Sequence, residues 1–279
     1  MATATVPIDG IDYSTLYEGP KGAPCVLLCH ALMSNLHMWD SAVKALHGAG
    51  YSTLRYDHVG HNNTPAPSDS ARQRHMDDLV KHMHHMVEVV TGQAEVKAVI
   101  GCSIGGAMAL RYAMLFPDDV DYAISLCAPG MTSLAAAKPL WSQRIQQFEQ
   151  DQRDGTDTLR HATVNRWLPG DTEHDEAVRA EALTHVKTCS LQGYTVLADT
   201  IRDYDYTGQL GELKGVKCLV VAGGRDGAVQ PDVLRDVASK IDGAEFVMME
   251  NAGHIPPMHR SAEFEELILS FLSSSKANL

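Results

Sequence analysis

Positive charge is scarce in this chain. Its 23 Lys and Arg face 35 Asp and Glu, a formal net charge of −12. Nucleic-acid binding needs a basic face that displaces counterions, so that class is excluded. The same deficit gives no general attraction for anionic substrates, and a substrate carboxylate would need arginines supplied locally. Long apolar runs are also missing. None approaches the ~18–20 residues of a membrane span, so no membrane association is expected. The start, Met1-Ala2-Thr3-Ala4-Thr5-Val6-Pro7, has neither a basic beginning nor a long apolar core, so no signal peptide is expected. The end, Ser275-Lys276-Ala277-Asn278-Leu279, does not match the Ser-Lys-Leu peroxisomal address. The cysteines lack the C-x-x-C spacing of zinc sites and the density of a secreted disulfide framework. Cys25, Cys29, Cys102, Cys127 and Cys218 lie in or beside apolar strand-like runs, and Cys189 falls in an expected helix. Reduced thiols and a cytoplasmic location follow as expectations. No repeat, low-complexity tract or flexible linker divides the chain.

What is present is an ordinary globular composition, 44% apolar and 21% charged over 279 residues, ample for a substantial core. Two alternating runs meet at Asp9-Gly10, a good two-residue hairpin turn. The pattern then turns to strand, helix, strand. Cys25–Cys29 reads as a strand, about Met38 to Leu46 as a helix and Tyr51–Tyr56 as a strand. A polar loop with Pro65 and Pro67 leads to a helix from about Arg72 to Val90. Strands are expected at Val96–Ile100, Tyr122–Cys127, Val216–Ala222 and Glu245–Met249. This alternation predicts an α/β fold, a mainly parallel sheet covered by helices on both faces. From about Gly130 to Leu213 the rhythm breaks, with helical patterns near 136–150, 155–167, 173–186 and 191–202. Residues 1–129 and 214–279 are therefore expected to form the core, and 130–213 a helical cap inserted in it.

The most informative stretch is Gly101-Cys102-Ser103-Ile104-Gly105, which fits G-x-S-x-G between an apolar strand and the helical run Ala107–Met114. A serine on a sharp strand-to-helix turn presents its hydroxyl above the sheet, and the flanking glycines remove Cβ atoms that would collide there. A serine hydroxyl needs a base within hydrogen-bond reach. His254, in Glu250-Asn251-Ala252-Gly253-His254 after the last strand, is the best placed, and His259 lies beyond Pro256-Pro257 toward the next helix. Asp226 ends the strand and Gly-rich loop Leu219–Arg225 and suits the acid that fixes the imidazole tautomer. Asp199, Asp203 and Asp205 are rivals that fall in the insertion. Two backbone N–H donors should hold the oxyanion. They are expected from Ile104, next to the nucleophile, and from Leu32 in His30-Ala31-Leu32.

The helix beginning near Arg72 carries His75, His82, His84 and His85, but Met76, Leu79, Val80, Met83, Met86, Val87 and Val90 form its apolar stripe. Most of these histidines then belong to the solvent side, and no metal site is expected.

Four separated blocks make the chain similar to the α/β-hydrolase superfamily over nearly its whole length. They are His30-Ala31-Leu32 with Trp39, Tyr56-Asp57-His58-Val59-Gly60-His61, the Ser103 elbow, and Asp226 with His254, in the order Ser, Asp, His. Within it the chain most resembles 3-oxoadipate enol-lactonases and their relatives. That likeness lies in Asn35–Asp40, Leu54–Asp57, Arg166-Trp167-Leu168 and Gly193-Tyr194 to Asp203. The resemblance implies a cofactor-free lactone or ester hydrolase with a helical cap over its pocket. Two departures stand out: His30-Ala31 where many relatives have His-Gly, and Gly60-His61-Asn62-Asn63-Thr64 where many have Gly-His-Gly-x-Ser. Trp141 and Trp167 are candidate pocket walls, and Arg144 and Arg166 candidate partners of a substrate carboxylate; packing or surface roles suit each equally. The same machinery serves carboxylesterases, acyltransferases and carbon–carbon bond hydrolases, and a binder or isomerising relative without turnover shares the fold. A homodimer through the cap or an edge strand is compatible with the sequence, though no residue pattern demands it.

Overall fold

The computed structural model describes residues 2–67, 73–133 and 135–274. Met1, Arg72 and the C-terminal residues 275–279, named above, lie outside them. Eight strands form one sheet: β1 (Ala2–Ile8), β2 (Ile11–Glu18), β3 (Cys25–Cys29), β4 (Ser52–Tyr56), β5 (Val96–Cys102), β6 (Val120–Leu126), β7 (Lys217–Gly223) and β8 (Glu245–Met249). Their order is β1-β2-β4-β3-β5-β6-β7-β8. The first two pairings, β1 with β2 and β2 with β4, are antiparallel and the rest parallel. Asp9 and Gly10 both take positive φ, 51° and 74°, the left-handed pair that a tight hairpin requires.

Helices cover both faces. α1 (Asp40–Gly48) packs on α10 (Ser261–Ser273), and α2 (Met76–Thr91) on α3 (Ile104–Leu115). α8 (Pro231–Ser239) packs on β7, and the short α9 (Pro256–His259) precedes α10. α3 is buried on nearly every side from Ile104 to Ala113, as a helix apolar all round must be. Each fully buried Leu or Ile in such a place contributes about 1.5–3 kcal/mol relative to exposure. Between β6 and β7 run α4 (Lys138–Asp154), α5 (Thr158–Trp167), α6 (Glu173–Val186) and α7 (Leu191–Arg202). Phe148 of α4 meets Tyr194 of α7 edge-on at 5.5 Å, and the Asp151 carboxylate takes the Leu159 N–H at 2.7 Å, tying α4 to α5.

Several boundaries differ from the sequence expectation. A 3₁₀ turn, Leu36–Trp39, precedes α1 because the Asn35 side chain accepts the His37 N–H at 3.0 Å and starts the coil early. α2 begins at Met76, where the Asp78 carboxylate accepts the His75 N–H at 2.9 Å. Cys189 is not helical; it forms an isolated bridge with His61 in the turn between α6 and α7. His75, just before α2, and His85 within it are exposed, but His82 is buried and bonded to the Tyr13 hydroxyl at 2.9 Å. Among the described residues, no helix is long and apolar enough to cross a membrane.

The winding direction sets the site. From β3 the chain steps to β4 on one side, then crosses back over β3 to β5 and continues outward. The carboxyl ends of β3 and β5 therefore flank a topological switch point, where open α/β sheets place ligands.

Candidate active site

Ser103 stands at this switch point, between β5 and α3, with φ 58° and ψ −123°. A non-glycine residue at such a φ costs about 1–3 kcal/mol and persists only when its surroundings over-determine it. Here they do. Its N–H donates to the Leu126 carbonyl at 2.8 Å, and its carbonyl accepts the Gly106 N–H at 2.9 Å. The neighbouring glycines are sterically obligatory. A Cβ at Gly101 would overlap the Gly105 carbonyl, and one at Gly105 would overlap the Cys29 carbonyl at the end of β3.

His254 and Asp226 come from the loops after β8 and β7, and both are buried. His254 Nδ1 lies 2.7 Å from Asp226 Oδ2, while Oδ1 accepts the Ala228 and Val229 N–H groups at 2.6 and 3.0 Å. A carboxylate acceptor at Nδ1 places the ring proton there and leaves the Nε2 lone pair free to act as a base. The His254 ring stacks on Trp167 at 5.9 Å, and its N–H donates to the Trp167 carbonyl at 2.8 Å. The Gly227 N–H likewise donates to the Arg166 carbonyl at 3.1 Å. The last turn of α5 thus caps both loops with backbone acceptors. Cys127, after β6, brings its thiol beside the pair. Cys127, Asp226 and His254 are the one group among the described residues whose ligand atoms cluster within 4.8 Å. The carboxylate there is already engaged by the imidazole and two backbone N–H groups.

The loop after β3 carries Leu32. Ala31 N–H points to Met38 Sδ at 3.4 Å and Met33 N–H to His61 Nε2 at 3.0 Å. Among the described residues, neither Leu32 N–H nor Ile104 N–H has a protein acceptor. Met33 takes φ 69°, and His61, which donates from Nδ1 to the Val59 carbonyl at 2.9 Å, holds it there. His61, His58 and His30 form a buried cluster beneath this loop, with His30 and His58 ring centroids 4.1 Å apart. Burial depresses them; His58 falls to about 3 and His61 to about 4. They are neutral scaffold groups. The Tyr56–His61 block signalled their importance in the sequence, but not their support of the Leu32 loop. Asp57 works beside them, accepting the Leu36 N–H at 3.0 Å and the Asn62 side-chain amide at 3.0 Å.

One cavity of about 90 Å³ gathers Ser103, His254, Leu32, Trp141, Arg144, Arg166 and Trp167. Asp226 sits behind His254, and Ile104 is buried under the elbow. Arg144 lies over the Trp141 ring at 4.7 Å, and the nearest side-chain partner of Arg166 is Thr163 Oγ1 at 3.4 Å. Among the described residues, neither arginine has a carboxylate ion-pair partner. Burial, then the charge of Arg144, pulls the Arg166 guanidinium down to about 10. The rival carboxylates stand elsewhere. Asp199 pairs with Arg202, Asp203 lies 3.7 Å from His75, and Asp205 takes the Thr207 N–H at 3.0 Å. A larger cleft of about 780 Å³ between α4, α7 and the Gln73–Arg74 segment holds Asp199 and Asp203, and Ser103 does not line it.

A family model described as the alpha/beta hydrolase fold matches residues 24–260. The chain is 24% identical over 288 residues to monoacylglycerol lipase ABHD6 of Mus musculus, covering 94% of this chain and 80% of that protein. It is 24% identical over 274 residues to the pimeloyl-[acyl-carrier protein] methyl ester esterase of Neisseria meningitidis serogroup B, covering 91% and 94%. The solved structure of an enol-lactonase from Burkholderia xenovorans LB400 superposes with a TM-score of 0.86 at 24% identity, covering 97% of this chain and 100% of that one.

Proposed function

We propose, from the premise that this chain belongs to the α/β-hydrolase family, that it is a serine hydrolase cleaving a small lactone or carboxylic ester. The observation that carries this reading is the buried His254–Asp226 pair, 2.7 Å apart, whose His254 shares one cavity with Ser103 on its strained turn. His254 Nε2 takes the Ser103 proton as Oγ bonds to the carbonyl carbon. The carbonyl electrons move onto oxygen, to which the Leu32 and Ile104 N–H groups donate hydrogen bonds. Collapse breaks the bond to the leaving oxygen, which takes the proton from Nε2. In a lactone that oxygen remains tethered within the acyl group, and an enol released there becomes a ketone. Water then gives a proton to His254 and attacks the acyl-enzyme. Collapse expels Ser103 Oγ, which recovers that proton, and releases the acid.

The two arginines point to an acyl or leaving part that carries a carboxylate. They face one cavity, among the described residues neither has a carboxylate in ion-pair contact, and an anion between them relieves their mutual repulsion. 3-Oxoadipate enol-lactone, a carboxylate-bearing lactone, is the first substrate to assay. The test sets wild type beside Ser103→Ala on this lactone and on p-nitrophenyl acetate, with fluorophosphonate labelling of both. Turnover and stoichiometric labelling in wild type alone are expected. Ester hydrolysis without lactone turnover moves the substrate to open-chain esters, and hydrolysis surviving in Ser103→Ala refutes the nucleophile. A wild-type protein that neither labels nor hydrolyses any ester refutes the hydrolase.

A further inference from the structure

A second buried imidazole–carboxylate pair lies behind the first. His259, in α9, accepts the Gly253 N–H at Nδ1 (2.8 Å), and its Nε2 lies 2.7 Å from Asp175 Oδ1. A ring nitrogen that accepts from a backbone N–H carries no proton, so Nε2 holds it and donates to the carboxylate. Both side chains are essentially solvent-free, at 1% and 0% exposure. Asp175 belongs to the cap, in the first turn of α6. Its other oxygen accepts the Thr172 hydroxyl at 2.7 Å and faces Arg225 Nη2 at 3.4 Å. Arg225 precedes Asp226 in the chain, and Gly253 precedes His254. One cap carboxylate therefore reaches both the acid loop and the base loop. The fit is close: a Cβ at Gly170 would overlap the Asp175 carboxylate and the Arg225 guanidinium. His174 closes the group, stacked on His259 at 5.6 Å and donating from Nε2 to the His259 carbonyl at 2.8 Å.

The backbone of the base loop can be accounted for group by group. Gly253 N–H goes to His259, and Gly253 carbonyl faces the Cys127 thiol at 3.8 Å. His254 N–H goes to the Trp167 carbonyl, and His254 carbonyl faces the Cys102 thiol at 3.4 Å. Of these four supports, the two N–H acceptors are the strong ones, since a thiol is a weak donor. One acceptor belongs to the cap outright, and the other is oriented by a cap carboxylate.

We propose that His259 and Asp175 are positioning residues for the catalytic base: together they seat the cap on Gly253 and so fix the reach of His254 toward Ser103. The inference rests on the assignment of His254 as base given above. It is tested on the whole protein by two readouts. The first is the low-field proton resonance of His254 Nδ1–H, identified by its absence in His254→Ala and read without turnover. The second is kcat and KM for p-nitrophenyl acetate. In His259→Ala the resonance is expected to be lost, and kcat to fall on the order of 100-fold with KM within about threefold, as small misplacements of a reacting group do. His259→Asn, whose side-chain carbonyl can take the Gly253 N–H, should restore the resonance and most of kcat. If His259→Ala does not fold, His259→Phe makes the same comparison with the ring volume and the His174 stack retained. A wild-type resonance and wild-type kcat in the variant without an acceptor overturn the positioning role. A wild-type protein that shows the resonance yet hydrolyses no ester sinks the hydrolase reading alone.

Discussion

Replacing Asp226 by Asn is the sharpest single perturbation, because the surroundings decide which way the new amide must face. Oδ1 of Asp226 accepts two backbone N–H groups, Ala228 at 2.6 Å and Val229 at 3.0 Å. An amide NH₂ cannot accept from them, so the Asn carbonyl must take that place. Its NH₂ then points at His254 Nδ1, now 2.7 Å from Oδ2. Nδ1 must become an acceptor, and the ring proton moves to Nε2, the atom that should receive the Ser103 proton. The fold keeps all its bonds while the base is in the wrong tautomer. The loss expected is on the order of 10⁴ in kcat, about 5 kcal/mol of barrier. Steady-state hydrolysis of p-nitrophenyl acetate measures it, with fluorophosphonate labelling slowed in parallel and a thermal melt within a few degrees of wild type. A variant that stays within tenfold of wild type would refute the assignment of Asp226 and the tautomer argument together.

Gly101→Ala drives a methyl into the Gly105 carbonyl; a loss above about 4 kcal/mol in denaturant melts is expected, and a wild-type melt would show that the turn is looser than described. Arg166→Met should lower the preference for a carboxylate-bearing ester over its neutral counterpart by about 10- to 100-fold, the worth of one charged hydrogen bond, read as a ratio of kcat/KM values; an unchanged ratio removes Arg166 from recognition. His30, His58, His61 and His185 are all held neutral by burial, the last three at about 3, 4 and 4. The unfolded chain binds their protons first, so stability present above pH 6.5 is lost as pH falls toward 4, each group contributing up to about 1.4 kcal/mol per pH unit; urea melts from pH 7 to 4.5 should show this, and a flat profile contradicts it. All six cysteines are buried free thiols, and burial pushes Cys25, Cys29 and Cys218 to about 12. Ellman's reagent at pH 8 should find none in the native protein and six after denaturation.

The elements around the chemistry were readable because local signals agreed there. The apolar run of β5, the spacing of Gly101, Ser103 and Gly105, and the apolar α3 all demand a strand-turn-helix. Glu173–Val186 and Leu191–Arg202 coincide with their helical patterns for a similar reason: Thr172 and Ser190 cap them by accepting the Asp175 and Gly193 N–H groups. What stayed hidden depends on partners far off in the chain. His61 reads as a loop residue until Met33 supplies its donor, 28 positions away. His259 reads only as a neighbour of His254, and the carboxylate that binds it, Asp175, lies 84 positions away. His82 departs from the solvent side of α2 because Tyr13, on the hairpin, offers a hydroxyl. Periodicity along one segment cannot encode such pairings.

The attachments of α5 and α6 also bear on how this enzyme can be re-engineered. Arg166 and Trp167 present side chains to the cavity and main-chain carbonyls to the loops of Asp226 and His254. Diversity introduced through side chains at 166, or along the cavity face of α4 at 141 and 144, leaves those carbonyls in place and can retune selectivity. Wholesale replacement of α4 to α7 must instead bring its own acceptors for Gly227 and His254, and a carboxylate for His259. Libraries confined to the first kind of change should yield active variants far more often than chimaeras joined at the ends of β6 and β7.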